Sequence, residues 1–370
     1  MPACEVGAWR GTPRRMSPTS PIVEAQPELL VIDATALLFR AYFGMRPRRA
    51  PDGTEVGAVF GLAQLVLQIV RREGARRVAL VYDAGRTTFR NRIDPRYKAQ
   101  RGEPPPELVP QFDLALRMGQ ALGFAAYSVP DYEADDLMAT LARVGREEGL
   151  AVRLCSVDKD VCQLVRDAGP ATRVMDPKTG ALCDEAGVRQ RMGVPPRQVV
   201  DAMALIGDSS DNIPGVRGIG PRAAVALLEA FEHLEGIYAD LGRVEALALR
   251  GAKGLAQKLA AGREEAFLAR RLVQLCDAAP LEAADEARAG SLASEAAAEP
   301  ARSEAVRSAG VGRTALPGDG RKAAPRGPGG LLARTRWREP DATAPGLFAE
   351  LGSDAPLRWF ATVQAALVGV

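Results

Sequence analysis

The residues of this chain best suited to chemistry are carboxylates, and they recur at one kind of place. Asp33 ends the apolar run LLVID, and Asp83 ends VALVYD. Glu133, Asp135 and Asp136 follow FAAYSVPDY and open an amphipathic stretch, while Asp158 and Asp160 end RLCSVDKD. Asp208 and Asp211 add two more in GDSSDN, an i,i+3 spacing that can aim both side chains inward. Like charges crowded into one pocket raise one another's pKa and cannot all stay ionised unaided. Hard divalent cations resolve the conflict, because Mg²⁺ and Mn²⁺ prefer carboxylate and water oxygens. Two such ions roughly 3.5–4 Å apart would clamp a phosphodiester, one activating water and the other stabilising the leaving oxygen. For any single acid a helix cap or turn is explanation enough: in DYEADDLMAT the first turn of a helix welcomes negative charge, and Asp131 needs nothing more. For the nine together, the expectation is a site for two Mg²⁺ ions, with Mn²⁺ as a substitute.

Acids that hold metal for phosphate chemistry need cations for the phosphate itself. TFRNRIDPRYKAQR offers Arg90, Lys98 and Arg101, and its flanking Pro95 and Pro104 suggest a mobile arch over the carboxylates. Lys98 would place a compact charge on the scissile phosphate, Arg90 and Arg101 would grip it as forks, and Tyr97 would stack on a terminal base. A solvated basic loop explains each of these residues equally well. Further on, GVRGIGPRAAVALLEAF reads as a glycine-rich turn feeding a helix that begins at Pro221. Gly215, Gly218 and Gly220 permit positive φ and close backbone approach, free N–H groups at the helix start face an anion, and Arg217 and Arg222 flank the turn. With PRQVVDAMALIG before it, this is a helix–hairpin–helix reader of the DNA backbone.

The rest of the composition narrows the choice. Net charge is +2, but from Arg40 to Arg101 fourteen Lys and Arg face five acids, a surplus of nine suited to a polyanion. The single histidine, His233, leaves no triad or histidine-based chemistry, and five scattered cysteines without a CxxC pair argue against zinc and disulfides and for a reducing compartment. The longest apolar run, GAVFGLAQLVLQIV, is too short and too polar to span a bilayer, and no secretory h-region stands near the start.

The elements that must position these groups alternate. ELLVID, RRVALVYD, FAAYSVP and AVRLCSVD read as buried strands; helices follow from Ala36, in GAVFGLAQLVLQIVRREG, in PPPELVPQFDLALRMGQALG and in EADDLMATLARVGREEG. After Asp176 the chain reads as helical, with turns at DPKTG and GDSSDNIPGVRGIGP. Alternation of this kind gives an α/β domain around a parallel sheet, and the carboxyl ends of such strands converge on one crevice. The expected organisation is an N-terminal extension (1–28), a nuclease core (29–195), a helical DNA-binding region (196–282), a disordered linker rich in Ala, Gly, Glu, Arg and Pro (283–340) and a short segment (341–370) in which LFAELGSDAPLRWFA docks as a helix.

At this point LLVIDATALLFRAYF, VYDAGRTTFRNRIDPRYKAQR, EADD, DKD, ALIGDSSDNIPGVRGIGPRAA and RGAKGLAQKL together resemble the 5′→3′ exonuclease domain of bacterial DNA polymerase I and the wider flap-endonuclease group, over about residues 29 to 280. The resemblance implies a PIN-like parallel-sheet core with a helical arch, followed by a helix-3-turn-helix DNA clamp. It implies that Asp33, Asp83, Glu133, Asp135 and Asp136 serve a first metal site and Asp158, Asp160, Asp208 and Asp211 the remainder. It also implies catalytic roles for Arg90 and Lys98, and K⁺ held by hairpin carbonyls. Arg40, Tyr97, Gly215, Arg217, Gly218, Gly220 and Arg222 are expected to meet DNA, with Arg101 beside Lys98 at the phosphate. Val157 stands where the family usually has glycine, and the 283–340 insert has no recognised counterpart. The implied role is metal-dependent cleavage of DNA 5′ ends, flaps or nicks, and of RNA primers, by a stand-alone monomer working with a separate polymerase. Its implied place is inside the cell: cytoplasm or nucleoid if bacterial, chloroplast or mitochondrion if eukaryotic. Two rivals stand beside it. One is a DNA-junction-binding protein with an inert core. The other is a HAD-like phosphatase with Asp33 as nucleophile, although Thr35 occupies the place of its second aspartate.

Overall fold

A computed structural model describes residues 28–247, 252–281, 334–340 and 342–368. β1 (Glu28–Asp33), β2 (Val78–Tyr82), β3 (Ala125–Ser128), β4 (Ala151–Cys155), β5 (Thr172–Met175) and β6 (Leu182–Cys183) make one sheet in the order β3-β2-β1-β4-β5-β6. Every neighbouring pair is parallel except β5 with β6. The α/β expectation holds, and its four strands are joined by two more: β5 and β6 are four and two residues long, β5 in a stretch before Asp176 for which no element was expected and β6 where helix was expected.

The sheet is buried on both faces because its strands are apolar at successive positions. Leu29 and Val31 of β1 point into one core, with α5 (Ala134–Glu147), α7 (Val199–Ile206), α8 (Pro221–Phe231), α11 (Ala252–Ala261) and α12 (Arg263–Val273). Leu30 and Ile32 point into the other, with α1 (Ala34–Gly44), α2 (Gly57–Glu73) and α4 (Val109–Ala121). Each fully buried Leu, Ile or Val contributes about 1.5–3 kcal/mol, so the alternation along β1 alone commits it to the centre. α2 ends at Gly74 in the left-handed region (φ 61°), as the stop signal predicted. Its start has no cap of its own; instead Gln111 of α4 accepts from the Ala58 and Val59 N–H groups (3.0 and 3.2 Å) through Oε1.

The C-terminal residues belong to this second core. α13 (Ala344–Glu350) and α14 (Ala355–Val368) bury Leu347, Phe348, Leu351, Phe360 and Val363 against the α2–α4 face, so the short docking helix foreseen there is two helices. Residues 334–340, placed in the linker on composition, are instead packed against the domain. Val78 N–H donates to the Thr335 carbonyl (2.8 Å), Trp337 N–H to that of Arg76 (3.1 Å), and the Trp337 ring stacks on Phe124 (centroids 5.2 Å apart). The backbone pairing and the large aromatic contact outweigh the polar composition around them. The expected extension lies outside the described residues apart from Glu28, which opens β1, and the linker does so up to residue 333.

Candidate active site

Chain order reverses between β1 and β4, which makes the crevice beyond their carboxyl ends the natural binding place in such a sheet. Asp33 is the last residue of β1, and its Oδ1 accepts from Ala36 N–H (2.9 Å), capping α1. Asp83 follows β2 and accepts from Ala134 N–H (2.8 Å), which pins the start of α5 to the same rim. That end of α5 delivers Asp135, and the turn after β4 delivers Asp158 and Asp160, with Asp158 Oδ1 accepting from Asp160 N–H (2.9 Å).

These five carboxylates sense one another. Burial, then the Asp83 charge and that of Asp158, lifts Asp33 to about 7. Burial and then Glu133 raise Asp83. Asp135 is raised well above the ordinary range by burial, then by Asp158, Asp33 and Asp160. Burial and Asp158 bring Asp160 to about 8 in spite of the neighbouring Lys159. Among the described residues, Asp135 Oδ1 and Asp160 Oδ1 are buried without a hydrogen-bond partner. Buried oxygens with no donor carry a desolvation cost that a hard cation would relieve, and the all-oxygen donor set suits Mg²⁺ or Mn²⁺. Among the described residues, however, no three acidic, His or Cys side chains already close around one point. Cations of the chain face the other four acids.

Asp136 is fully buried and saturated. Both its oxygens accept from Arg90 (2.7 Å each), Oδ1 also from Cys276 N–H and Oδ2 from Glu133 N–H. It has no lone pair to spare for a metal, and the expectation for it is corrected: it is the inner half of a structural ion pair. Arg90 is corrected with it, being 1% exposed and donating also to the Leu272 and Gln274 carbonyls, so its fork is not available to a phosphate. Tyr97 cannot stack on a base either. It is buried at 3% exposure, and its hydroxyl lies 3.0 Å from Glu133 and 3.3 Å from Asp211.

Lys98 does reach the rim, 2.9 Å from Glu133 and 3.5 Å from Asp211, on backbone held at φ 54°. Burial works against its charge, but the two carboxylates more than offset this and its pKa is raised. Arg101 pairs with Asp211 at 2.5 Å. The segment expected as a raised arch contains one short helix, α3 (Phe89–Ile93), and lies down on the 208–212 loop through Lys98 N–H to the Asp211 carbonyl (2.9 Å) and Asn212 to the Arg96 carbonyl (2.7 Å). Lys159, not among the expected site residues, has its Nζ 2.5 Å from Asp208; a lysine between two acids in DKD was the available signal.

The hairpin forms between α7 and α8. Gly215 is demanded by close approach, since a Cβ there would lie 2.3 Å from the Ile206 carbonyl. Gly218 adopts φ 81°, and its carbonyl accepts from Lys258 at 3.4 Å. Gly220 is corrected: its φ is −105° and a Cβ would meet open space, so neither strain nor crowding from the protein requires glycine there. Arg217 and Arg222 are exposed beside it, and Arg40 is exposed on α1.

Comparison with known proteins now bears on this arrangement. Residues 28–193 match the 5′-3′ exonuclease N-terminal resolvase-like domain, and residues 194–295 match the 5′-3′ exonuclease C-terminal SAM fold. The chain belongs to the 5′→3′ exonuclease family. DNA polymerase I of Bacillus caldotenax is 36% identical over 259 residues, and that of Pseudomonas aeruginosa 37% over 252. These alignments cover 69% and 68% of this chain but only 28% and 27% of the polymerases. A bacteriophage T5 protein crystallised with metal ions shares the fold at 21% identity and a TM-score of 0.56, over 67% of this chain and 90% of its own. The T5 flap endonuclease in a complex with DNA and metal ions shares it at 24% and 0.53, over 67% and 89%. The family is one of nucleases, and both of its halves are present here, meeting between residues 193 and 194 at the border of sheet domain and helical region.

Proposed function

We propose that this chain is a divalent-metal-dependent 5′-nuclease that hydrolyses DNA phosphodiesters at 5′ ends, flaps or nicks, and RNA primers by the same chemistry. The observation that carries the reading is the rim of Asp33, Asp83, Asp135, Asp158 and Asp160, where burial and mutual repulsion push up the pKa values of Asp33, Asp83, Asp135 and Asp160, and two buried oxygens are left without a donor among the described residues. Those five residues, with Asp208 beside Asp160, would hold the ions, Mg²⁺ being the hard cation that such oxygens favour. Bound there, the ions would supply a nucleophile at neutral pH and neutralise charge on the phosphate.

The chain's own groups do the positioning. Lys98 stands at the rim, where a phosphate drawing it from Glu133 would gain a compact charge. Arg101, half-exposed, adds a fork on the same side. The hairpin offers the Arg222 N–H in the first turn of α8, with the exposed Arg217 and Arg222 side chains beside it, a grip on backbone phosphates that ignores sequence. A K⁺ ion at the hairpin would share the Gly218 carbonyl with Lys258. The family's occurrence inside polymerases supports cooperation with a polymerase, and we take the nuclease itself to act as a monomer.

The test is cleavage of a 5′-labelled flap duplex with and without Mg²⁺. Cleavage should require the ion and be lost in Asp135→Ala and in Asp158→Ala, tested separately. Activity surviving both substitutions would sink the assignment, and a chain that binds flaps without cutting any would be an inert junction binder.

A further inference from the structure

Two ammonium groups tie the 208–212 loop to the acidic rim, and they differ in kind. Lys98 reaches Glu133 and Asp211 from the segment before α4, with its side chain 21% exposed. Lys159 comes from the turn after β4 and lies between two acids of different elements, 2.5 Å from Asp208 Oδ2 and 3.6 Å from Asp160 Oδ1. The other oxygen of Asp208 is taken by the Ser210 N–H and hydroxyl (2.8 and 2.6 Å), so Lys159 is the only hydrogen-bonded partner of Oδ2 among the described residues. Among the described residues, Asp160 Oδ1 has no hydrogen-bond donor. A divalent ion bridging Asp160 and Asp208 would have to stand where the ammonium stands, for both are drawn by the same two oxygens.

Whether such a cation can be exchanged depends on where it goes when it leaves. Arg90, 1% exposed, would leave a buried Asp136 and become a buried charge itself, so it is fixed. Lys159 has 38% of its side chain exposed and four rotatable bonds, so its ammonium can swing into water at little desolvation cost. Resting on the metal-dependent reading above, we propose that Lys159 is an exchangeable placeholder: its ammonium neutralises Asp160 and Asp208 in the metal-free protein and is displaced by the divalent ion that enters between them. It follows that the 208–212 loop, which leads into the hairpin, is already docked on the rim before metal arrives. Ion uptake on this side must compete with an internal cation, whereas uptake at Asp33, Asp83 and Asp135 need not. The displaced ammonium is then free on the side where a phosphate backbone would approach.

The experiment uses the full chain without substrate. Mn²⁺ binding is measured by calorimetry for the intact protein and for Lys159→Met, and acetylation of Lys159 by acetic anhydride is mapped by peptide mass spectrometry with and without saturating Mg²⁺, the exposed Lys178 serving as reference. The placeholder predicts that Mg²⁺ raises Lys159 labelling several-fold relative to Lys178. It also predicts that Lys159→Met binds its weaker Mn²⁺ about tenfold more tightly, the scale expected for removing one charge a few ångströms from a divalent ion near the surface. Lys159→Arg, keeping the charge, should bind like the intact chain. If the intact chain takes up metal while Lys159 labelling stays constant, or if Lys159→Met binds Mn²⁺ less tightly, the placeholder is overturned and the metal site stands. No uptake by the intact chain would overturn both.

Discussion

Asp135 and Asp136 are adjacent in sequence and opposite in circumstance. Asp136 faces Arg90 through two 2.7 Å bonds, while Asp135 faces Asp33, Asp158 and Asp160 with one oxygen unpartnered. Conservative substitutions should therefore change stability in opposite directions. Asp136→Asn leaves the Arg90 charge buried without its counter-ion, and breaking such a pair costs about 3–5 kcal/mol. Urea unfolding of the metal-free variant should show that loss, while the folded fraction binds Mn²⁺ as the intact chain does. Asp135→Asn removes one of the charges crowded at the rim, so the metal-free protein should unfold at higher urea. Its Mn²⁺ affinity should fall by at least the roughly tenfold that losing even an outer partner of a ligand costs. At this scale the sequence showed which residue types were available. It did not show which cation would face which acid: Arg90 and Asp136 are brought together by the packing of α3 against α12 and by the carbonyls of Leu272 and Gln274, more than a hundred residues away.

The hairpin between α7 and α8 separates folding from binding within six residues, and its three glycines should respond differently. A methyl at Gly215 would sit 2.3 Å from the Ile206 carbonyl, so Gly215→Ala must move backbone and should cost about 1–3 kcal/mol. Gly218→Ala strains a φ of 81° and should cost about 1 kcal/mol. Gly220→Ala adds a methyl to open space at an ordinary φ and should leave thermal unfolding unchanged, yet weaken duplex binding measured by fluorescence anisotropy, because Gly220 caps α8 two residues before the Arg222 N–H, where a phosphate would approach. Equal effects of all three on stability and binding would show that the turn is merely structural. The elements themselves were legible where a run was long and apolar, as in β1, β2, α2 and α5. β5 and β6 were not, because four and two residues are too few to establish a period. Their place is set by pairing with β4 and with each other.

Across the whole molecule, two buried cores clamp one sheet, and the sheet's carboxyl edge collects acids that the folded state must hold without water. Asp33 and Asp160 have folded pKa values of about 7 and about 8, above the 3.8 of an ordinary aspartate. Between those values the folded chain keeps protons that the unfolded chain has released. Stability of the metal-free protein must then fall as pH rises from about 4 through about 8, the reverse of a fold held by ion-paired carboxylates. Lys159 with Asp208 does not reverse this, because Asp208 is held low: burial raises it, but the Lys159 and Ser210 bonds outweigh burial, and its contribution is lost only as pH falls below the ordinary aspartate range. Urea midpoints of the metal-free chain should accordingly be higher at pH 5.5 than at pH 8.5. Adding Mg²⁺ should raise the midpoint most at pH 8.5, where the acids are ionised and the ion has most repulsion to relieve, and so flatten the profile. A metal-free profile that rises over that interval would mean that the rim is already neutralised by the chain's own cations, and would leave an ion nothing to relieve.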